Sequence, residues 1–248
     1  DTETTSIEAL DAKLVGLSFS TEDFRAWYVP VSRETEKAKK ILEIFRPVYE
    51  NPKILKVGQN LKYDLTVLAN YDIHLSGPLF DTMLAHYLIQ PELRHNMDYL
   101  AEIYLNYKTI HIEELIGPKG RGQKNMGDLE PKDIYKYACE DADVTLRLMK
   151  PLAEELRKNS LEEVFQNIEM PLMPVLARME RNGVVLDTET LKEVENDFTV
   201  RLQTLEKDIY ELAGHEFTIN SPRQVGEVLF GELKLSEKVK KTKSGQYS

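Results

Sequence analysis

The chain contains the stretch Tyr137-Ala138-Cys139-Glu140-Asp141-Ala142-Asp143, and the interpretation of the whole sequence starts there. On a helix, residues four positions apart lie on one face, so Tyr137 and Asp141 direct a phenol and a carboxylate towards the same spot. Such a pair is common on helices and does not define a site by itself. Its meaning depends on which other acidic residues the fold brings to that face.

Two other stretches supply acidic residues. Asp1-Thr2-Glu3 opens the chain, and on an extended strand its two carboxylates project from one face, as a hard divalent cation requires. Asp64 ends the stretch Val57-Gly58-Gln59-Asn60-Leu61-Lys62-Tyr63-Asp64, in which a short apolar run meets a glycine and then a helical pattern. Carboxylates without a basic partner repel one another unless cations lie between them. The sequence therefore predicts a site for two divalent ions, Mg²⁺ or Mn²⁺, held by Asp1, Glu3, Asp64 and Asp141.

Length and composition describe a globular protein. The chain has 248 residues, of which 30% are charged and 42% hydrophobic, and its net charge is −10. No apolar run approaches the roughly 20 residues of a membrane span, and no signal-peptide pattern opens the chain, so we expect a cytoplasmic protein without a membrane partner. The single cysteine, Cys139, excludes an internal disulfide, and its acidic neighbours argue against a nucleophilic thiol.

Apolar periodicity predicts an α/β fold. Three strands in succession indicate an antiparallel meander, and the alternation of strand and helix that follows indicates a mixed sheet. Asp81 precedes a helix and is interpreted as its N-cap rather than as a metal ligand. The predicted elements are, in order, strands at 13–20 and 26–31, a helix from Glu34 to Phe45 that stops near Pro47, a strand at 53–57, a helix from about Asn60, a short strand and helix over 78–89, a helix from Met97, a glycine-rich basic loop at 117–125, and a long helix from Pro131.

The composition of the sequence changes character near residue 158, where we place a boundary between domains 1–158 and 159–248. The second domain is expected to be mainly helical, with one helix ending at Asn182-Gly183 and the next at Gly214. One helix carries an apolar seam in steps of four and three, which requires a partner helix. Ser221-Pro222-Arg223-Gln224 has the composition of a helix N-terminus with a capping box. The basic segment 234–243 is either a disordered terminus or a contact for nucleic-acid phosphates. The seam consists of Val194, Phe198, Leu202, Leu205, Ile209 and Leu212.

The predicted metal site has a definite chemistry. Two divalent ions would activate a water molecule and stabilise the charge that develops on a phosphodiester, which is then hydrolysed without a covalent intermediate. Tyr137 would orient the attacking water. A tyrosine with its ordinary pKa of about 10 is a poor base, so the acidity has to come from the metal.

The same stretches resemble a known family. Asp1-Thr2-Glu3-Thr4, residues 57–64 and residues 137–145 look like the three exonuclease motifs of the DEDD superfamily, tyrosine subclass. More closely, they look like the proofreading exonuclease domain of bacterial family A DNA polymerases (DNA polymerase I). Stretches 80–84, 167–172 and 181–184 are also similar to that family, and 220–222 resembles the start of its thumb. The resemblance covers essentially the whole chain.

The resemblance implies a ribonuclease H-like domain with a mixed five-stranded sheet flanked by helices, followed by a mainly helical, partial polymerase region that includes thumb helices. It implies 3′→5′ hydrolysis of single-stranded or frayed DNA ends, by a monomer in the bacterial cytoplasm at the nucleoid. Because the palm and fingers are missing from residues 1–248, this piece is not expected to synthesise DNA.

The resemblance also assigns roles to single residues. Asp1, Glu3 and Asp141 would hold the tighter metal ion, for which Zn²⁺ is an alternative, and Asp1 with Asp64 the second ion. Tyr137 completes the catalytic set. The positions that match DNA-contacting residues are Gln59, Asn60 and Tyr63 for the terminal nucleotides, Ile7 and Met126 for wedging or stacking on bases, and Arg94 for a phosphate. Met126 departs from the aromatic residue expected there, and thioether packing would have to replace stacking.

Two alternatives remain open at this stage. One is a catalytically silent module that binds DNA and supports a polymerase. The other is an RNA exonuclease similar to ribonuclease D. Binding of divalent ions discriminates the first from an enzyme, and trimming of matched DNA and RNA oligonucleotides discriminates the second.

Overall fold

A computed structural model describes residues 1–236 of the chain. The chain divides into two compact units, Asp1–Gly183 and Val184–Ser248. Most of the predicted basic segment, with Lys238, Lys240, Lys241 and Lys243, lies outside the described residues. Within the described part, no helix has both the length and the apolar character that crossing a membrane requires.

The strands of the first unit form two sheets rather than one. Strands β1 (Thr2–Thr4), β2 (Leu14–Glu22) and β3 (Arg25–Pro30) form an antiparallel meander in the order β1-β2-β3, as predicted. Strands β4 (Lys56–Gly58) and β5 (Leu79–Asp81) pair in parallel. The α/β class is confirmed. A single mixed sheet of five strands is not present among residues 1–236, because β1 and β4, with three residues each, form ladders only with β2 and β5 respectively.

Helices make up most of the first unit. Three prolines lie inside helices: Pro47 in α1, Pro151 in α6 and Pro174 in α8. The predicted stop near Pro47 is wrong, since α1 continues to Tyr49; a proline in the last turn removes a single backbone hydrogen bond there. The helices are α1 (Thr35–Tyr49), α2 (Leu61–Ala69), α3 (Thr82–Ile89), α4 (Met97–Leu105), α5 (Ile112–Ile116), α6 (Pro131–Lys158), α7 (Glu162–Val164) and α8 (Met170–Asn182), with a 3₁₀ turn at Met126–Asp128 and a π-helical segment at Phe165–Glu169.

Helix α6 is the centre of the hydrophobic core. Its carboxyl-terminal half buries Leu148, Leu152 and Leu156 against Phe165 and Met170, which follow α6 in sequence. The first compact unit therefore includes α7 and α8, which the predicted boundary at residue 158 assigns to the second domain. That boundary between functional domains stays a prediction.

Helix α8 is fastened to α2 by its last residues. The guanidinium of Arg181 donates to the carbonyls of Thr66 and Ala69, at 3.2 and 3.3 Å, and to Asn70 Oδ1 at 2.6 Å. These acceptors lie at the carboxyl-terminal end of α2, where helix carbonyls lack intrahelical partners and a cation is favourable. Lys62 also forms an ion pair with Glu180. As predicted, α8 ends at Gly183, which has a φ of 67°.

The second unit contains α9 (Thr188–Ala213), α10 (Pro222–Gly226) and a π-helical turn at Glu227–Glu232. Gly214 ends α9 in the left-handed conformation, as its position in the sequence predicts. No residue of α9 is buried, so the seam finds no partner helix in the part of the chain up to residue 236. Ser221 caps α10, but the side chain of Gln224 accepts from the Thr218 amide instead of completing a capping box.

Candidate metal centre

Three of the predicted carboxylates meet at the junction of β1 and α6. Oxygen atoms of Asp1, Glu3 and Asp141 all lie within 4.8 Å of one another. The fold achieves this because β1 pairs with β2, and β2 packs against α6. The sequence separates Glu3 from Asp141 by most of the first unit, so the meeting of these groups is a property of the tertiary structure.

The site strongly disfavours negative charge as long as it lacks a cation. Burial, the largest effect, raises the pKa of Glu3 to about 7. Burial and then the charge of Glu3 raise the pKa of Asp141 well above its usual range. Within the described residues, Glu3 Oε1 and Asp141 Oδ1 are buried without a hydrogen-bond partner. Buried carboxylate oxygens that repel one another and have no donor are suited to a divalent cation, so these residues fit the predicted metal ion.

Asp64 lies beside this group rather than within it. It is buried on α2, where its Oδ1 accepts a hydrogen bond of 2.6 Å from the Thr2 hydroxyl. Asp64 and Asp1 both line a cavity of about 200 Å³. The sequence argument missed Thr2, which lies between Asp1 and Glu3 and therefore points from the opposite face of the strand towards Asp64. Participation of Asp64 in the second metal site stays a prediction.

Tyr137 occupies the predicted position one helical turn before Asp141. Its hydroxyl lies close enough to Asp141 for the charge of that carboxylate to act on the phenol. Burial, and then the charges of Asp141 and Glu3, raise the pKa of the phenol far above its ordinary value. Tyr137 therefore stays protonated at neutral pH and acts as a hydrogen-bond donor. A role as general base is incompatible with this environment.

Among the predicted DNA contacts, Ile7, Asn60 and Arg94 are exposed. The side chain of Ile7 is 91% exposed, which suits a group that touches bases. Asn60 has a left-handed backbone conformation ahead of α2, and its side chain makes no capping bond. The guanidinium of Arg94 lies 5.6 Å from the ring centroid of Tyr99.

The other three predicted contacts are engaged within the protein. The Tyr63 hydroxyl donates to the carbonyl of Ser6, and the Gln59 amide donates to the His95 carbonyl at 2.7 Å. Met126 is buried against Val15 and Ile134, because the 3₁₀ turn directs it into a small core cluster. The structure thus places the Met126 side chain inside the protein, and its contact with bases stays a prediction.

One other sequence interpretation is confirmed by contacts. Asp81 is the N-cap of α3, with a hydrogen bond of 3.0 Å from the Leu84 amide, and it also accepts one of 2.6 Å from the Leu61 amide. Burial raises the pKa of the Cys139 thiol, which disfavours a nucleophilic thiolate. Neither residue needs a part in the metal centre.

One acidic residue near the centre was missed. Asp98, at the start of α4, adds to the negative potential on Asp141 and Tyr137. It accepts a hydrogen bond of 2.7 Å from Thr109, and its other oxygen lies 3.1 Å from His111 Nδ1. No spacing in the sequence relates Asp98 to the motifs, so only the packing of α4 on α6 reveals it.

The raised pKa values predict how stability depends on pH without metal. Glu3 has a folded pKa of about 7 and an ordinary value of 4.5, so its contribution is fully present below pH 4.5 and is lost as the pH rises through 7. In EDTA, we expect the free energy of unfolding to fall by about 2 kcal/mol between pH 5 and pH 8. Thermal unfolding measures this decrease, and millimolar Mn²⁺ should restore the lost stability at pH 8.

The Glu3→Gln variant provides the control, because it has no charge to bury. Its melting temperature in EDTA should decline less between pH 5 and pH 8, and Mn²⁺ should stabilise it less. If the melting temperatures of Glu3→Gln and of the unmodified chain declined equally with pH, the raised pKa of Glu3 would not explain the pH dependence.

Comparison with known proteins now decides the family. Residues 1–157 match the family described as 3′-5′ exonuclease. The chain belongs to this 3′-5′ exonuclease family. Residues 188–248 match DNA polymerase family A. As an exonuclease domain of this kind, residues 1–157 work with divalent metal ions.

Curated relatives of this exonuclease are bacterial DNA polymerases. The chain is 43% identical over 258 residues to the DNA polymerase I of Pseudomonas aeruginosa, covering 100% of this chain and 28% of the relative. It is 37% identical over 247 residues to the DNA polymerase I of Borreliella burgdorferi, covering 97% of this chain and 26% of the relative. The chain thus spans about a quarter of the length of these relatives.

Solved structures resemble the exonuclease chain as well. A structure described as the POL domain of Pol1 from M. smegmatis in complex with DNA primer-template and dNTP aligns with a TM-score of 0.78 at 25% identity, covering 99% of this chain and 39% of that one. A nuclease in its apo form aligns with a TM-score of 0.60 at 19% identity, covering 74% of this chain and 83% of that one. The second similarity concerns the fold alone.

Proposed function

We propose that this chain is the proofreading portion of a bacterial DNA polymerase I, which removes nucleoside monophosphates from 3′ ends of DNA. The observation that carries the proposal is the meeting of Asp1, Glu3 and Asp141 with their oxygens within 4.8 Å, beside Tyr137. Membership in the exonuclease family and the polymerase relatives support DNA as the substrate. Single-stranded or frayed ends are the proposed form of that substrate.

In this proposal, Asp1, Glu3 and Asp141 hold the first divalent ion, and Asp1 and Asp64 the second. Bound Mg²⁺ or Mn²⁺ would acidify the attacking water and offset the negative charge that develops on the scissile phosphate. Zn²⁺ remains a candidate for the first position. Thr2 fixes the orientation of Asp64 through its hydroxyl, which keeps the carboxylate directed towards the cavity that it shares with Asp1.

Tyr137 has a separate task. Burial and the neighbouring Asp141 raise the pKa of the phenol and keep its proton in place, so the hydroxyl is a donor for the oxygen of the attacking water or of the phosphate. Ile7, Asn60 and Arg94 are exposed and are the proposed contacts to bases and backbone, together with Gln59 and Tyr63. Met126 supports the site from the core.

The remaining parts of the proposal concern the protein as a whole. We infer a ribonuclease H-like exonuclease domain over residues 1–158 and the beginning of a polymerase region, with its thumb, over residues 159–248. The chain acts as a monomer on DNA in the cytoplasm, at the nucleoid. Polymerase activity of the complete protein is part of the same proposal, since it follows from relatives of which this chain covers only a part.

Oligonucleotides labelled at the 5′ end test the function. With Mn²⁺, a single-stranded DNA should shorten one nucleotide at a time from its 3′ end and release nucleoside monophosphates. A matched RNA should shorten at least about tenfold more slowly if the protein is a DNA proofreading enzyme. Faster degradation of RNA would favour the ribonuclease D-like alternative, and no degradation with any divalent ion would favour a silent module.

Replacement of Tyr137 by phenylalanine removes only the hydroxyl and so measures its contribution to catalysis. We expect Tyr137→Phe to lower kcat about 10- to 100-fold, because a positioned hydrogen bond to the reacting groups is lost while the carboxylates remain. Stabilisation of the folded protein by Mn²⁺ should be retained, because the phenol is not a ligand. Tyr135→Phe on the exposed face of the same helix is the matched control. An unchanged kcat in Tyr137→Phe would remove the phenol from the mechanism.

A further inference from the structure

Two histidines, one buried and one half-buried, form a hydrogen-bonded pair that the metal centre does not use. His86 lies on α3 and is completely buried, and its Nδ1 is 2.7 Å from Nδ1 of His95, in the segment between α3 and α4. One imidazole must donate and the other accept, so the contact fixes both rings and their tautomers. Burial and then His95 lower the pKa of His86, which favours the neutral ring.

The pair is connected to a predicted DNA contact. The backbone carbonyl of His95 accepts a hydrogen bond of 2.7 Å from Gln59 Nε2. At the other end of the same amide, Gln59 Oε1 accepts from the hydroxyl of Thr82, at the start of α3. Gln59 is therefore held at both ends. One of its anchors is the backbone carbonyl of His95, whose ring is in contact with His86.

The pair also bears on Arg94. This exposed arginine is joined to His95 by a peptide bond, and it lies in a segment of irregular backbone between α3 and α4. A segment without secondary structure is defined by its side-chain anchors. The ring of His95 is such an anchor, so the histidine pair fixes the point from which Arg94 extends towards solvent.

A histidine at position 86 is costly for packing alone. Among the described residues, His86 Nε2 has no hydrogen-bond partner, although the ring is completely buried with the edges of Tyr99 and Tyr104 around it. A leucine of similar size would fill this space without burying polar atoms. The directional bond to His95 is what histidine provides and leucine does not.

We propose that His86 and His95 are positioning residues of the exonuclease, which fix Gln59 and Arg94 for the nucleotides at the 3′ end of the substrate. The proposal rests on the exonuclease function proposed above. The metal centre lies outside this network, since its carboxylates share no hydrogen bond with the pair in the described structure. Loss of the pair should therefore weaken substrate binding and leave the chemical step nearly intact.

Steady-state kinetics on single-stranded DNA with saturating Mn²⁺ tests this. We expect His86→Leu and His95→Leu to raise KM about fivefold and to change kcat less than about twofold, the effect of losing one neutral hydrogen bond. The KM of His95→Asn should lie close to that of the unmodified chain, because asparagine keeps a hydrogen-bonding atom near the position of Nδ1. His74→Gln, at an exposed histidine of the same unit, is the control and should leave both constants unchanged.

A double-mutant cycle separates positioning from general damage. Gln59→Ala and Arg94→Ala should each raise KM, and the addition of His95→Leu to a variant that carries both should raise KM no further, since the pair acts through these two side chains. The melting temperature of His86→Leu should stay the same or rise, which a purely structural role would not permit. Additive effects on KM, or a KM that stays unchanged, would overturn the proposal.

The Gln59 side chain offers a test that does not need activity. Its amide protons should give a shifted, slowly exchanging NMR signal in the unmodified chain, and this signal should move towards that of a free amide in His86→Leu. If the chain releases no nucleotides from DNA, the exonuclease function fails, and this signal still decides whether the pair holds Gln59. An identical Gln59 signal in both proteins would show that it does not.

Discussion

The Asp141→Ala variant should lose 3′→5′ exonuclease activity by about 10³-fold or more. Asp141 supplies an oxygen to the group formed with Asp1 and Glu3, and it also lies beside the Tyr137 phenol. Its removal weakens cation binding and alters the surroundings of the phenol at the same time. A loss of about 4 kcal/mol of transition-state stabilisation corresponds to that factor. Release of nucleotides from a labelled 3′ end measures it.

Measurements of thermal stability distinguish a loss of catalysis in Asp141→Ala from a loss of folding. Because the pKa of Asp141 is raised in the folded state, the carboxylate destabilises the metal-free protein at neutral pH. Asp141→Ala should therefore melt at an equal or higher temperature than the unmodified chain at pH 8 in EDTA. Asp133→Asn, at an exposed position of α6, is the matched control and should keep full activity. Activity retained in Asp141→Ala would contradict the proposed function.

Truncation after Lys158 should abolish cooperative folding of the first unit, whereas truncation after Gly183 should preserve it. The segment between these points places Phe165, Met170 and Met173 in the main core cluster, where they contact side chains of α6 and β5. Burial of a large apolar side chain contributes about 1.5–3 kcal/mol. Loss of three such residues removes a large part of the 5–15 kcal/mol that typically stabilises a domain.

Thermal unfolding and limited proteolysis of the two fragments measure this effect. The fragment 1–183 should show a single sharp transition and resist protease. The fragment 1–158 should show a broad transition or none, because the apolar face of α6 and the ring of Phe80 would be exposed to water. Equal melting temperatures of the two fragments would show that α7 and α8 are dispensable for the core.

The sequence was most informative where functional residues lie at the regular spacing of one strand or one helix. The spacing of two along a strand and of four along a helix placed Asp1 with Glu3 and Tyr137 with Asp141, and the structure brings these groups together. Local signals at helix ends were reliable for the aspartate cap and the glycine stops, but they failed for the stop at Pro47 and for the capping box at Gln224. Asp81 caps α3, and Gly183 and Gly214 follow the helices that they were predicted to end.

The remaining features depend on tertiary packing that no short pattern encodes. Asp64 turns towards Thr2 because β1 lies beside α2, and Met126 is buried because its 3₁₀ turn folds onto α6 and β2. The contact of His86 with His95 depends on the path of the chain between α3 and α4. The split of the strands into two sheets reflects the short ladders of β1 and β4, whose lengths a propensity argument does not determine.

The hydrogen bonds between α8 and α2 brace a helix that carries a predicted metal ligand. Arg181 donates to backbone carbonyls at the carboxyl-terminal end of α2, and Asp64 lies in the first turn of the same helix. A change at Arg181 therefore acts on the helix that positions Asp64, although Arg181 itself is far from the carboxylates in sequence and contacts none of them.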